Sequence, residues 1–445
     1  MARDFACDSR TTRRVFLRQQ ARWLAGASAA VCLGQSVGAG ADAWNRVDTA
    51  PGRVRTGIDV LEDEYFAPLL GKRVGLITNQ TGVDSHGTRT IDLLVHENGL
   101  KLDAIFSPEH GIAGTSDGGA KVADSTDAAT GARVFSLYGE SRRPTAAMFE
   151  NLSALVFDIQ DAGVRFYTYV TTMGYVMEEA ARARIPFFVL DRPNPLGGEV
   201  IEGPVLNREK LSFVGYFPLP ARYAMTTGEL AQMFNAENKI GADLRVVAMK
   251  NWRRGDIYAD TGLAWIPPSP SLRTLDETFL YPGIEILQAG DVSVGRGTEK
   301  PFEMIGAPWI KGKELAAELN RRAIAGVRFA ATTFTPHSEV HSGVLCEGVQ
   351  VTVTDARALR SMSMGMEIAD ALYRMYPEKF RLERTIFLLG SDATLGRLKR
   401  GDPVPSIVAG WNAELDKFRA VREKYLMYRD EVGAETAGAG GSTPQ

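Results

Sequence analysis

From residue 53 onward, short apolar runs alternate with segments of helical periodicity, and this alternation limits the possible folds more than any other feature of the chain. The apolar runs that predict strands lie at 73–80, 102–107, 133–138, 154–160 and 186–191. Segments 88–98 and 168–184 fall between strands and carry apolar residues at helical spacing. Strands that alternate with helices form a mostly parallel sheet covered on both faces. The sequence therefore predicts an α/β fold with a Rossmann-like sheet.

A proline-dense segment at 264–272 interrupts this pattern. Prolines so close together are incompatible with a helix or an inner strand, so the segment predicts a connection between two domains. We predict a Rossmann-like catalytic domain at 53–264 and a smaller α/β C-terminal domain at 265–432. The Gly- and Ala-rich residues 433–445 predict a disordered tail.

The first 43 residues predict a twin-arginine signal peptide. Arg13 and Arg14 precede an apolar, Ala- and Gly-rich run at 23–37, and small residues suited to cleavage follow at 39–43. The apolar run is too short and too weakly hydrophobic for a spanning helix, so no membrane contact is expected after removal of the signal. We therefore expect a periplasmic or secreted protein exported by the twin-arginine route. Its one remaining cysteine, Cys346, cannot form an internal disulfide.

Charge and motif content exclude several classes of function. The 51 Lys and Arg residues nearly balance the 54 Asp and Glu residues, so a nucleic-acid partner is not expected. No G-x-G-x-x-G turn follows the first predicted strand, which argues against a dinucleotide cofactor. The five histidines show no H-E-x-x-H spacing, and His337 with His341 is a weak loop pair, so neither a metal nor an organic cofactor is predicted.

Polar side chains cluster where three of the predicted strands end. Pro108 stops strand 102–107 just before Glu109 and His110. Acidic, basic, amide and aromatic residues lie at the end of two further predicted strands. At the end of strand 154–160 and just after it, they are Asp158, Gln160, Asp161, Arg165, Tyr167 and Tyr169. At the end of strand 186–191 and just after it, they are Asp191, Arg192 and Asn194. Each cluster alone is compatible with an ion-paired surface loop. Because the carboxyl ends of parallel strands meet at one edge of a sheet, the three together predict a shared cleft.

Several ordered blocks of the sequence resemble the exo-β-N-acetylmuramidase (NamZ) family. They lie at 107–111, 157–169, 191–195 with 202–204, and 294–298 with 306–310, and the similarity runs from about residue 57 to 428. The resemblance implies a Rossmann-like larger domain, a smaller C-terminal domain and an active cleft between them. It also implies release of N-acetylmuramic acid (MurNAc) from the non-reducing ends of peptidoglycan fragments such as MurNAc-GlcNAc. The family's proposed catalytic glutamate corresponds to Glu109.

Glycoside cleavage needs a carboxyl group that protonates the leaving oxygen and usually a second carboxylate. We expect Glu109 to be the acid and Asp158 or Asp161 to be the second group, with Glu299 and Glu303 as further candidates. The substrate's own acetamido group is an open alternative. Aromatic rings such as Trp309 could stack on sugars, and Arg165, Arg192 or Arg296 could bind the lactyl carboxylate. The residues expected to bind the sugar are His110, Gln160, Arg165, Tyr167, Tyr169, Asp191, Arg192, Asn194, Gln288, Arg296, Glu299 and Glu303.

The sequence departs from the family pattern at two places. Tyr223 and Ala224 stand where a His-Gly pair is usual, and Gln288 stands where a glutamate is usual. Since glutamine cannot transfer a proton, these departures support an alternative interpretation, a peptidoglycan-binding protein that has lost activity. A third interpretation, an amide- or ester-cleaving enzyme, is weak because no G-x-S-x-G motif is present. The sequence leaves the oligomeric state open.

Overall fold

The computed structural model describes residues 53–429, so the predicted signal peptide and the predicted tail lie outside the described residues. A seven-stranded sheet forms the larger part of the fold, with the strand order β3-β4-β2-β1-β5-β6-β9. Its strands are β1 (Arg73–Thr78), β2 (Lys101–Ser107), β3 (Ser125–Thr126), β4 (Arg133–Ser136), β5 (Ala154–Asp158), β6 (Phe187–Leu190) and β9 (Leu244–Val247). Neighbouring strands are parallel except at one edge, where β3 runs antiparallel to β4.

Helices cover both faces of this sheet, as the alternating sequence pattern predicts. The helices of this part are α1 (Gly57–Asp63), α2 (Thr90–His96), α3 (Tyr169–Ala183) and α4 (Thr227–Glu237). Apolar side chains of α1 and α2 pack on one face, and those of α3 and α4 pack on the other. Every residue of the inner strand β5 is buried, which explains why its first four residues are continuously apolar rather than alternating. The α/β prediction is confirmed.

The C-terminal half contains a second, smaller sheet with helices. Its three antiparallel strands are β10 (Met304–Ala307), β11 (Val327–Phe334) and β12 (Cys346–Val353), with β12 in the middle. Earlier in the chain, a separate two-stranded ladder joins β7 (Glu202–Val205) to β8 (Pro220–Arg222). The helices are α5 (Leu275–Gln288), α6 (Gly312–Arg321), α7 (Ser361–Met375), α8 (Ile386–Leu389), α9 (Asp392–Arg400), α10 (Val404–Ala409) and α11 (Asn412–Arg422).

Helices α5 and α7 cross at very close range because glycines face each other at the crossing. A Cβ atom placed on Gly283 would lie 1.9 Å from the carbonyl oxygen of Ser361, and one on Gly365 would lie 2.3 Å from the carbonyl oxygen of Gly283. Only glycine permits such an approach. This crossing fixes the position of α5, whose exposed stripe forms one wall of the cleft described below.

One large hydrophobic core runs from the parallel sheet into the C-terminal half. It includes Phe157 of β5, Met177 of α3, Ile284 of α5, Met364 of α7 and Phe418 of α11. The packing is therefore continuous across the proline-dense segment, and the domain boundary at 264/265 stays a prediction. Within residues 53–429, no helix has the length and apolar character needed to cross a membrane.

Candidate active site

A cleft of about 450 Å³ lies where the carboxyl ends of the parallel strands face the C-terminal half. Three polar residues follow adjacent strands here: Asn79 comes after β1, Glu109 after β2 and Asp161 after β5. The cleft is lined by Glu109, His110, Gly118, Gly119, Phe166, Tyr167, Thr168, Val214, Ser269, Leu272, Tyr281, Glu285, Gln288, Ala289, Arg296, Phe302, Glu339, Val340, Phe387 and Leu388. The location agrees with the general rule that open α/β sheets bind ligands at this edge.

The carboxyl group of Glu109 is held by two hydrogen bonds and is only 8% exposed. Its Oε1 accepts from the backbone N–H of Gly119 at 2.8 Å, and its Oε2 accepts from the hydroxyl of Thr168 at 2.7 Å. Thr168 immediately precedes α3, so the carboxyl group also lies near the positive end of that helix. Burial and the nearby Glu109 carboxyl raise the pKa of Tyr138 to about 12, so this phenol stays neutral. Glu109 is thus fixed with one face toward the cleft.

His110 is the other strand-end residue that lines the cleft. Its backbone has a φ of +71°, a left-handed conformation that is unfavourable for a residue with a Cβ atom. Its Nδ1 lies 2.7 Å from the carbonyl oxygen of Ser116, so Nδ1 carries the proton and donates it. Burial lowers the pKa of His110, and the nearby Arg296 acts in the same direction. The ring is therefore neutral near pH 7 and keeps a free lone pair on Nε2.

Helix α5 supplies Gln288, which the sequence predicts as a sugar-binding residue, and two polar groups that the sequence interpretation missed, Tyr281 and Glu285. Tyr281, Glu285 and Gln288 follow one another at spacings of four and three residues, so they share one helix face, and all three line the cleft. Glu285 pairs with Arg296 at 2.9 Å. Burial raises the pKa of Glu285, although Arg296 opposes this shift. The available signal was a Glu and a Gln three residues apart in an otherwise apolar helix.

The segment between β11 and β12 adds a third acid, Glu339, which the sequence interpretation also missed. Its carboxylate accepts a hydrogen bond from Nε2 of Gln288 at 3.3 Å. Its φ of +63° is unfavourable for a residue other than glycine. Thus Glu109, Glu285 and Glu339 all line the cleft, together with the guanidinium of Arg296.

Aromatic residues contribute unequally to the cleft. Tyr167 lines the cleft, whereas Tyr169 is fully buried behind it. The centroids of the two rings lie 4.8 Å apart, and the hydroxyl of Tyr169 donates a hydrogen bond to the carbonyl oxygen of Pro268. Trp309 packs against Tyr376 and does not line the cleft. Phe387 of α8 lines the cleft and is 65% exposed, which is unusual for a large apolar side chain.

Arg165 is buried away from the cleft, although the sequence predicts that it binds the substrate. Its guanidinium donates to the carbonyl oxygens of Pro204 and Leu219 at 2.9 and 3.0 Å. It also donates to the carbonyl oxygens of Leu388 and Leu389 at 2.6 and 3.0 Å. Burial lowers the pKa of Arg165 to about 9. The geometry favours a structural role, because these four bonds tie the first half of the chain to α8.

Asp158 and Arg192 form a buried ion pair and do not line the cleft. Nε of Arg192 lies 2.6 Å from Oδ1 of Asp158, and Nη2 lies 2.9 Å from Oδ2. The hydroxyl of Thr90 donates to Oδ2 at 2.5 Å. Asp158 has 0% exposure. With both oxygens engaged by fixed donors, the geometry favours a structural role over the predicted catalytic one.

Asp161 lies behind the cleft wall and is 6% exposed. It accepts a hydrogen bond from the hydroxyl of Tyr223 and another from the N–H of Gly163 at 2.7 Å. Burial raises the pKa of Asp161 to about 6, while the hydrogen bond from Tyr223 opposes the shift. Tyr223, one of the departures from the family pattern, thus serves as the partner of this acid. The neighbouring Ala224 has a φ of +53°, a conformation better suited to the glycine usual in the family.

The remaining predicted site residues also lie outside the cleft lining. Gln160, Asp191 and Asn194 are buried and form hydrogen bonds with backbone groups nearby. Glu299 has a side chain that is 96% exposed and pairs with Arg273, and Glu303 pairs with Lys300. Of the predicted residues, those that the structure brings together around the cleft are Glu109, His110, Tyr167, Gln288 and Arg296. Among residues 53–429, no three His, Cys, Asp or Glu side chains are grouped so that they could hold a metal ion.

A cleft with a fixed glutamate, further acids, an arginine and an exposed aromatic ring has the components of a glycosidase. The fold and the cleft therefore define a carbohydrate-cleaving enzyme built on a Rossmann-like sheet. Comparisons with known proteins specify the family. The N-terminal region of exo-beta-N-acetylmuramidase NamZ matches residues 74–276, and its C-terminal region matches residues 279–428. The chain belongs to the NamZ family of exo-β-N-acetylmuramidases.

Individual relatives agree with this assignment. The chain is 44% identical to the peptidoglycan beta-N-acetylmuramidase NamZ of Bacillus subtilis over 390 residues, which cover 87% of this chain and 94% of that protein. Two crystal structures of DUF1343 family proteins from Bacteroides fragilis are also similar. The first has 39% identity and a TM-score of 0.78, and the second has 30% identity and a TM-score of 0.70. Each match covers 85% of this chain and 99% of the other.

Proposed function

We propose that this protein is an exo-acting glycosidase that releases MurNAc from the non-reducing ends of peptidoglycan fragments. The observation that carries the proposal is Glu109, whose carboxyl group is fixed in the cleft by Gly119 and Thr168. Membership of the NamZ family supports the same activity. A neutral carboxyl group can accept at both oxygens and still donate its own proton, so these two bonds are compatible with a general acid.

In this mechanism, Glu109 protonates the oxygen of the glycosidic bond as that bond breaks. Glu285 and Glu339 are the other acids that line the cleft, and they take the place of Asp158 and Asp161 as candidates for the second group. Because Glu285 is neutralised by Arg296, Glu339 is the freer of the two. The neutral ring of His110 offers an acceptor for a sugar hydroxyl.

Arg296 is our candidate for binding the lactyl carboxylate, the group that distinguishes MurNAc from GlcNAc. The sequence left Arg165, Arg192 and Arg296 as alternatives, and the first two are buried in other interactions. Arg296 bonds Glu285 through Nε and Nη2, so its Nη1 is the group left to receive an anion, with only a long 3.4 Å contact to Ser271.

MurNAc-GlcNAc is the proposed minimal substrate, and Phe387 is the proposed platform for its second sugar. The ring of Phe387 lines the cleft while remaining 65% exposed, as expected for a surface that receives a ligand from solvent. Apolar faces of sugars stack on such rings. Two hydrogen bonds from Arg165, to the carbonyl oxygens of Leu388 and Leu389, hold the adjacent backbone of α8 in place.

The activity is tested by incubating the protein with MurNAc-GlcNAc or with a chromogenic β-N-acetylmuramide. Free MurNAc is the expected product, and Glu109→Gln protein is the negative control. Tight binding of the disaccharide with no release by the parent protein would instead favour the non-catalytic peptidoglycan-binding alternative.

We also propose that the protein acts outside the cytoplasm after twin-arginine export. The support is the sequence around Arg13 and Arg14, which lies outside the described residues. Replacing both arginines by lysine should retain the precursor in the cytoplasm, as measured by immunoblotting of cell fractions. Normal export of that variant would contradict the proposal.

A further inference from the structure

Two buried side-chain atoms of residues that line the cleft have no hydrogen-bond partner among the described residues. They are the hydroxyl of Tyr167 and Oε1 of Gln288. Tyr167 is only 6% exposed, so its hydroxyl is not freely solvated. Buried polar atoms are nearly always paired in native proteins, and those that are not call for a functional explanation. One of these atoms is a hydroxyl, which can donate, and the other is an amide oxygen, which only accepts.

Glu339 fixes the orientation of the Gln288 amide. A carboxylate only accepts hydrogen bonds, so the amide nitrogen must be the atom 3.3 Å from Oε2 of Glu339. The amide oxygen is then directed away from Glu339. A glutamate at position 288 would instead bring two carboxylates to this separation, where like charges repel. Gln288 is therefore matched to Glu339, and its oxygen is an oriented acceptor.

A secondary amide is the ligand group that complements this arrangement. It presents one N–H and one C=O that point in opposite directions, and it carries no charge. We propose that Gln288 and Tyr167 read the 2-acetamido group of the sugar: Oε1 of Gln288 accepts from the acetamido N–H, and the Tyr167 hydroxyl donates to its carbonyl oxygen. Leu272 and Ala289 also line the cleft and provide apolar contacts for the methyl group. Gln288 then acts in recognition, so a glutamate is not needed there for proton transfer.

This inference rests on the proposed function but is tested by binding rather than by turnover. The probes are MurNAc and muramic acid, which lacks the acetyl group, and affinities are measured by isothermal titration calorimetry at a pH high enough to keep the free amine of muramic acid unprotonated. The parent protein should bind MurNAc more tightly than muramic acid. Gln288→Leu should weaken MurNAc binding by about 3- to 10-fold, the value of one hydrogen bond, and leave the affinity for muramic acid nearly unchanged.

Tyr167→Phe is the second variant, since it removes only the unpartnered hydroxyl. It should also weaken MurNAc binding by about 3- to 10-fold. The melting temperature should change little, because the hydroxyl lies near Ser269 and Tyr169 but forms no well-aligned hydrogen bond with a described residue. Gln350→Leu, in β12 and outside the cleft lining, is the matched control and should bind both sugars like the parent.

Equal losses for MurNAc and muramic acid in either variant would overturn the inference. So would a parent protein that binds the two sugars equally or binds neither. Release of MurNAc from the disaccharide is measured separately on the parent. If the protein releases MurNAc yet does not distinguish the two sugars, recognition of the acetamido group by Gln288 and Tyr167 is refuted. The proposed function is then unaffected.

Discussion

Replacement of Glu109 by Gln tests the central feature of the cleft with little change in shape. In the folded protein, both carboxyl oxygens of Glu109 accept hydrogen bonds, from the N–H of Gly119 and from the hydroxyl of Thr168. A glutamine can keep its oxygen on Gly119 and turn its nitrogen toward Thr168, whose hydroxyl can rotate to accept. Neither partner is left unpaired. We therefore expect at most about 1 kcal/mol of lost stability, the net value of one altered hydrogen bond.

The catalytic cost should be much larger than this structural cost. Loss of a positioned general acid slows turnover by about 10²–10⁴-fold, which corresponds to about 3–5.5 kcal/mol in the activation free energy. The assay is MurNAc release under saturating substrate, with thermal melting and disaccharide binding measured on the same preparation. The variant should melt near the parent temperature, bind the disaccharide and fail to release MurNAc.

Glu237→Gln is the matched control for this experiment. Glu237 also accepts a hydrogen bond from a hydroxyl, that of Tyr425 at 2.7 Å, but it does not line the cleft. Its replacement makes the same chemical change, so its turnover should stay within about twofold of the parent, as for other surface substitutions. Turnover by Glu109→Gln within a few-fold of this control would refute the assignment of Glu109 as the acid.

Three further predictions concern the cleft and its supports. Phe387→Ala should raise the KM for MurNAc-GlcNAc about 3- to 10-fold but not that for methyl β-MurNAc, which lacks the second sugar. Tyr65→Ala, which removes another exposed aromatic ring outside the cleft, should change neither KM. Asp158→Asn should lower the free energy of unfolding by about 3–5 kcal/mol, because it leaves Arg192 buried without its charged partner. The kcat of the folded variant should be nearly unchanged. A large loss of kcat at native stability would instead show that Asp158 is catalytic. Burial raises the pKa of Asp161 from its ordinary 3.8 to about 6, so the folded protein holds that proton more tightly than the unfolded chain and gains stability as the pH falls from about 6 to about 4. The melting temperature of Asp161→Asn should change less with pH across this range than that of the parent. An equal pH dependence of the two melting temperatures would contradict the shift.

The class of fold could be predicted because it depends on local patterns. An apolar run of five or six residues between turns indicates a buried strand. Such runs, when they alternate with segments of helical periodicity, indicate a parallel sheet. The same reasoning identified Glu109, since a strand followed by Pro108 places the next side chain at the carboxyl edge.

The roles of the buried charges could not be predicted in this way. Arg165, Arg192 and Arg296 all stand in motifs of the family, and nothing in their local sequence separates them. Their partners are distant in the chain: Arg165 bonds the carbonyl of Leu388, 223 residues away, and Arg192 bonds Asp158, 34 residues away. Burying a charge is unfavourable unless it is paired, so those partners decide which arginine is structural and which is left for a ligand.

The opposite wall of the cleft was likewise decided by tertiary structure. By sequence, Glu285 and Gln288 are two polar residues in an apolar helix, and Glu339 is one residue of a long loop. They meet because α5 packs closely on α7 through Gly283 and because the chain between β11 and β12 returns to the same place. Sequence periodicity determines which face of a helix is apolar, but the packing of distant elements determines what the polar face meets, and here it meets Glu339 and the cleft.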